Sequence, residues 1–265
     1  MIRSTLFVPA DSEKKLAKAA GLAADALVLD LEDAVLPDRK PLARQMMQAW
    51  LGEQADRSRF WVRVVPARPA GILLPKLKGP EDLEIVGHYL DVLEAEHGLE
   101  PGQIRITAII TETPEIMLRM GELARQKHPR VSHVAWGGED LSSAMGAGDP
   151  RDENGEWRSM YAYARNQCLL IGHALGCEVL DTVYVDFKNP EGLRTACLQS
   201  RYDGFTGRIA IHPNQVDIIN ESFTPTQQER NMAQKIVDAF SSGAGAVSID
   251  GKMYDIPHLK AARRL

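Results

Sequence analysis

Two stretches of this chain place carboxylates where an apolar run breaks off: "TAIITETPE", residues 107–115, and "VAWGGEDLSSAMG", residues 134–146. Glu112 closes the first run and Asp140 the second. Two acids at the ends of two buried strands form an oxygen-only site suited to a hard divalent cation. Mg²⁺ takes one or two protein carboxylates and leaves its other positions to water and substrate. The competing reading is a pair of helix N-caps, because a helix can start at either place. Gly137 and Gly138 favour a site: backbone without Cβ lets N–H groups approach an anionic ligand closely.

Other runs end on polar residues that a core would reject. "ALVLDLEDAV" carries Asp30, Glu32 and Asp33; "FWVRVV" carries Arg63; "GILLPKL" carries Lys76; Asp186 and His212 follow later runs. Arg63, permanently charged and able to donate bidentately, suits a substrate carboxylate or oxyanion, or equally a salt bridge to Glu32 or Asp33. Lys76 reads as an internal ion-pair partner, with no neighbour marking it as a Schiff-base nucleophile. His212, in "IHPNQ", is either a base or a structural donor beside proline. No Ser-His-Asp order or nucleophile elbow is visible.

Positioning these ends requires eight strands. The β-rich runs lie at 4–9, 26–32, 60–65, 71–77, 105–111, 131–137, 178–185 and 204–212. Amphipathic helical segments, Ser12 to Ala24, Pro41 to Leu51, Pro80 to Glu96, Pro114 to Lys127, Trp157 to Leu175, Pro190 to Tyr202 and Thr226 to Phe240, alternate with them. Eight such units predict a TIM (β/α)8 barrel, whose carboxyl strand ends form the active face. The alternative, a doubly wound sheet, lacks its GxGxxG after the first strand. The barrel is expected over residues 1–240. Residues 241–265 are expected as a C-terminal lid extension: a glycine-rich hinge, a hairpin at Asp250-Gly251 and a basic terminal helix.

One connection departs from this plan. Only Pro66 to Ala70 separate the third run from the fourth, whereas parallel neighbours need a crossover of about a dozen residues or more. Either the connection is unusual or residues belonging near Val64 to Pro66 are missing from the chain. The second is expected, with a Cα–Cα step far beyond about 3.8 Å as its sign.

Composition limits the partners. With 44% apolar and 25% charged residues and a formal charge of −5 over 265 residues, the chain is globular and has no global reason to bind nucleic acid. No apolar run approaches a membrane span, and the start lacks a long apolar signal segment. The three cysteines, Cys168, Cys177 and Cys197, have no CxxC spacing and read as reduced core thiols. A cytoplasmic protein without a membrane partner is expected.

Taken in order, "RSTLFVPADSEKKLAKA", "ALVLDLEDAVLPDRKPLAR", "VRV", "ILLPKL", "TETPE", "GGEDLSS", "DFKNPEGLR", "IHPNQVDIINESFTPT" and "GKMYDIP" resemble the citrate lyase β-subunit-like branch of the HpcH/HpaI aldolase superfamily. Within it, the chain is similar to the CoA-thioester lyases, which include malyl-CoA and citramalyl-CoA lyases and malyl-CoA thioesterases. The resemblance implies Mg²⁺ ligands at Glu112 and Asp140, with Glu32 and Asp33 behind them holding metal-bound water. It implies a substrate arginine at Arg63, backbone donors to the acid's carboxylate at Gly137 and Gly138, and CoA contacts at Lys40, helped by Arg3 and Arg44. It also implies a catalytic aspartate, Asp255, delivered by the lid to a neighbouring subunit, hence a homo-oligomer such as a homotrimer. The expected reaction is retro-Claisen cleavage of a short 3-hydroxyacyl-CoA to acetyl-CoA and a 2-oxo acid. A citrate lyase β subunit acting on an acyl-carrier thioester, a malyl-CoA thioesterase and a non-catalytic CoA-binding scaffold are the alternatives. The chain departs from the family after "VRV", where an asparagine-containing loop and a helix normally precede "LPK".

Overall fold

Eight parallel strands, β1 (Ser4–Pro9), β2 (Ala26–Asp30), β3 (Phe60–Arg63), β4 (Gly71–Leu74), β5 (Arg105–Ile109), β6 (Val131–Ala135), β7 (Glu178–Asp181) and β8 (Gly207–Ala210), pair in sequence order. β8 returns to β1, with Thr5 opposite Ile209, and closes the barrel. The computed structural model describes residues 1–63, 69–126, 128–243 and 245–264. Each expected run contains its strand, and the fold is the expected (β/α)8 barrel.

Strand alternation divides the side chains into two layers. Ala26, Val28, Trp61, Leu73, Ile109, Ala135, Leu180 and Ile209 fill the interior. Leu27, Leu29, Phe60, Val62, Ile106, Val134 and Val179 belong to the larger core shared with the helices. Those helices are α1 (Glu13–Ala20), α2 (Lys40–Glu53), α3 (Glu81–Glu96), α4 (Pro114–Met117), α5 (Met120–Leu123), α6 (Gly138–Ala144), α7 (Ser159–Leu175), α8 (Pro190–Asp203) and α9 (Val216–Phe223). Their starts are chemically marked. Ser12 caps α1 by accepting from Lys15 N–H, and Asn189 caps α8 by accepting from Gly192 N–H at 2.9 Å. The helix expected over 114–127 is instead the short pair α4 and α5, broken at Leu118–Arg119, where Arg119 turns to Glu81 (2.6 Å) and Glu122 (2.7 Å).

β3 and β4 pair directly, with Trp61 opposite Gly71, and Ala70 N–H donates to the Phe60 carbonyl at 2.9 Å. Pro69 and Ala70 are not helical. The break expected near Val64 to Pro66 lies outside the described residues. On the inner side of β4, the Trp61 ring fills the space where a Gly71 side chain would stand.

By contact the chain divides into Met1–Phe223 and Thr224–Leu265, ahead of the boundary expected at 240. Helix α10 (Gln227–Ala239) groups with the tail because Ala233, Ile236 and Phe240 form a small core with Leu259 and Ala262 of α11 (Ile256–Ala262). Between them, β9 (Ala246–Ile249) and β10 (Lys252–Asp255) form the expected hairpin. Its turn uses Asp250 (φ 50°) and Gly251 (φ 77°), the left-handed pair that a two-residue hairpin loop requires.

A Cβ at Gly71 would lie 2.3 Å from the Trp61 ring and 2.7 Å from the Arg105 carbonyl oxygen, whereas one at Gly52, on α2, meets nothing within 4 Å. Gly71→Ala is therefore expected to destabilise the protein by about 1–3 kcal/mol. Gly52→Ala is expected to stabilise it by about 0.4–1 kcal/mol. Denaturant unfolding of both variants checks the contrast, and equal stabilities would show that Trp61 yields.

Candidate active site

The carboxyl end of the barrel gathers charge from consecutive strands. Asp30 ends β2 and stands opposite Arg63, the last residue of β3. Lys76 follows β4, Glu112 follows β5, and Asp140 lies in the first turn of α6 after β6. Asp30, Arg63 and Glu112 are buried, with relative exposures of 3%, 5% and 2%. Together with Asp33, Glu139 and Asp140 they line a cavity of about 290 Å³, whose other walls include Phe7, Trp136, Val183 and Ile211.

Arg63 is held by three acids. Its Nη1 is 3.5 Å from Asp30, its Nη2 is 3.1 Å from Asp33, and Nη2 also contacts Glu32. Burial alone would lower the pKa of the guanidinium, but the surrounding carboxylates raise it. Of the two readings of Arg63, the salt bridge is thus realised. Its Nε–H is buried and, among the described residues, has no hydrogen-bond partner. Asp33 shows the reciprocal effect: burial raises its carboxyl pKa, and hydrogen bonding to Lys76 together with the charges of Arg63 and Lys76 brings it below the ordinary range.

Glu112 and Asp140 do come together. Their carboxyls are within hydrogen-bonding reach, and burial together with the Asp140 charge pushes the Glu112 pKa up to about 8. Neither is a helix cap. Thr113 caps α4, accepting from Ile116 N–H at 3.3 Å, and Gly137 is the N-cap of α6, with Asp140 inside its first turn.

The glycines divide in role. A Cβ at Gly137 would sit 2.8 Å from Glu112 Cγ, so the missing side chain makes room for the acid. Gly137 N–H, expected as a donor to a substrate carboxylate, donates to Thr111 Oγ1 at 3.0 Å. Gly138 fits between Trp136 and Trp157, each 3.1 Å from where its Cβ would be. Thr111 was not singled out from the sequence, since a threonine one residue before an acid carries no signal of the contact it makes across strands.

Arg3 is not brought to the site. It precedes β1 at the amino end of the barrel, where its Nε and Nη2 bind Asp25 at 2.8 and 2.7 Å. The carboxylate that claims it precedes β2 at the same end. Lys40 and Arg44 lie one turn apart on α2, after the carboxyl end of β2; Lys40 is half-buried and Arg44 exposed. His212 accepts from Asn214 N–H at 3.2 Å and stacks on Phe187, which fits the structural reading. Asp255 lies in the second compact unit as the N-cap of α11, its Oδ1 2.6 Å from His258 Nδ1.

The family model for HpcH/HpaI aldolase/citrate lyase matches residues 3–66 and 54–213. This chain belongs to the HpcH/HpaI aldolase/citrate lyase family. The two matches overlap at 54–66, where the connection between β3 and β4 begins. A (3S)-malyl-CoA thioesterase of Cereibacter sphaeroides is 35% identical over 99% of this chain and 92% of its own. That comparison spans 283 positions against the 265 residues here, so the relative carries segments that this family member lacks. The mitochondrial citramalyl-CoA lyase of Rattus norvegicus is 30% identical over 99% of this chain and 84% of its own. Protein CitE of Mycobacterium tuberculosis, solved with magnesium, acetoacetate and coenzyme A, superposes with a TM-score of 0.79 at 28% identity, covering 98% of this chain and 95% of that one. Among the described residues of this family member no helix is long and apolar enough to cross a membrane, and its three cysteines are free.

The raised Glu112 pKa has a definite sign. A carboxyl at about 8 when folded and 4.5 when unfolded holds its proton more tightly in the folded state. Its contribution to stability therefore declines as pH rises through that window. In chelator-containing buffer, Glu112→Gln is expected to gain stability relative to the parent from about pH 5 to about pH 8. Thermal melts of both proteins that stayed parallel over this range would contradict the assignment.

Proposed function

We propose that the chain is a Mg²⁺-dependent carbon–carbon lyase that cleaves a short 3-hydroxyacyl-CoA thioester, of the citramalyl-CoA or malyl-CoA type, into acetyl-CoA and a 2-oxo acid. The observation that carries this reading is the Glu112–Asp140 pair in the lining of the cavity. Two carboxyls pressed together, one of them reluctant to ionise, fit a hard cation as their missing partner. Glu112 and Asp140 would hold it, with Glu32 and Asp33 behind them. When bound, the cation supplies positive charge against the carboxylate and oxygen of the 2-oxo acid half.

The remaining work falls to side chains. Water takes the hydroxyl proton, the alkoxide collapses to the carbonyl of the 2-oxo acid, and the bond between C2 and C3 of the acyl chain breaks. The electron pair passes to C2 and gives the enolate of acetyl-CoA. The place of Arg63 in the cavity lining supports its role as donor to the alkoxide oxygen. Asp255 gives its proton to C2 and, in the condensation direction, removes it. Lys40 and Arg44 suit the CoA phosphates, since both follow the carboxyl end of β2. Residues 241–265 act as the lid over a neighbouring subunit's site, so the working form is a ring such as a homotrimer, placed in the cytoplasm.

Hydrolysis of malyl-CoA is the second reading, favoured by the identity with the thioesterase. Products separate the two. Purified protein with Mg²⁺ and citramalyl-CoA or malyl-CoA is expected to release acetyl-CoA and a 2-oxo acid, whereas free CoA and malate would establish the thioesterase. Asp255→Asn is expected to lower lyase turnover by about 10²–10⁴-fold while thioester binding, followed by calorimetry, persists. Unchanged turnover would remove Asp255 from the reaction.

A further inference from the structure

Among the described residues only Lys76 and Asp250 combine a side chain with a left-handed backbone. The hairpin turn accounts for Asp250. Lys76, with φ 54°, lies between β4 and α3, where glycine would adopt the same conformation without strain. The strained conformation secures two sets of contacts at once. Lys76 N–H donates to Glu112 Oε2 at 2.5 Å. Its Nζ lies 2.9 Å from Glu32, 3.2 Å from Asp33 and 3.5 Å from Asp140. Glycine would keep the first contact and lose the others.

Charge gives the arrangement its meaning. The mouth holds Asp30, Glu32, Asp33, Glu112, Glu139 and Asp140, and Arg63 is claimed by the first three. Among the described residues, Lys76 is the basic side chain that reaches Asp140.

We propose that Lys76 is a positioning residue of the cation site, whose main-chain N–H fixes the Glu112 carboxylate and whose ammonium is a tethered counter-charge that a divalent cation works against. This rests on Glu112 and Asp140 being the metal ligands. A fixed positive charge a few ångströms from Asp140 steadies the acids before the cation arrives and weakens its binding afterwards. The cost of losing the ammonium therefore falls on the metal-free protein, and metal affinity moves the opposite way.

Calorimetric titration of the whole chain with Mg²⁺ tests this, using Lys76→Met, Lys76→Gly and Lys76→Arg. The Met and Gly variants, which lack the charge, are expected to bind Mg²⁺ about tenfold more tightly than the parent, with the difference shrinking in high salt. The Arg variant is expected to stay near the parent. In metal-free melts, the Gly variant is expected to unfold at a higher temperature than the Met variant, because both keep the N–H and only glycine relieves the strain. Should the Met variant not fold, Gly and Arg carry the comparison. A parent that binds Mg²⁺ alongside a charge-free variant of equal or weaker affinity would overturn the role of Lys76 alone. A parent that binds no Mg²⁺ would overturn the metal site as well.

Discussion

Glu112 and Asp140 are two acids that stand within hydrogen-bonding reach at the end of a closed barrel, and Glu112 resists ionising there. Burial of Glu112, with the Asp140 charge beside it, disfavours its ionised form. The surroundings answer with charge of the other sign: Arg63 among Asp30, Glu32 and Asp33, and Lys76 across to Asp140. Neither cation neutralises the pair. The Glu112 pKa stays high, and that residual imbalance supports the proposed cation site at the mouth.

Keeping the pair together is a task for β5 and β6. Their register sets Ile109 beside Ala135, so the chain leaves both strands at the same height. Thr111 then holds Gly137 N–H, and the absent Cβ of Gly137 admits the Glu112 side chain. On the far side of β6, the Trp136 indole donates to Asp181 at 2.6 Å, and Asp181 is held in turn by Arg208 at 2.8 Å and Arg165 at 3.2 Å. Burial would raise the Asp181 pKa, yet the two arginines hold it down at about 2. This paired, buried network is structural, and it gives β6, β7 and β8 a rigid base for the acids above.

Two parts of the chain depart from simple barrel economy. β3 and β4 are neighbours without a described helix between them, and Trp61 packs into the space that Gly71 vacates. The two family matches overlap in the same region. At the other end, the last long helix belongs by packing to the tail and not to the barrel, because its apolar face meets α11. An amphipathic helix announces in sequence that it will bury one face, and leaves open which partner does the burying.

The same limit separates what was legible from what was not. Apolar period and turn chemistry are local, so the eight strands, the Asp250-Gly251 hairpin and the strand-end acids Glu32, Asp33, Glu112 and Asp140 could be read in order along the chain. Partners are not local. Arg3 and Arg63 are the same residue type near strands, and only the closed barrel puts one at the amino end against Asp25 and the other at the mouth among three acids. Gly137 was legible as a glycine with a reason, but that reason, room for Glu112 and an N–H already given to Thr111, required contacts across strands. Lys76 read as an ordinary ion-pair residue until its left-handed backbone was seen. Sequence alone determined which chemistry this protein could carry, because composition and period are properties of single elements. Tertiary structure decided which residues share that chemistry, because charge interactions act over a few ångströms and only the fold sets those distances.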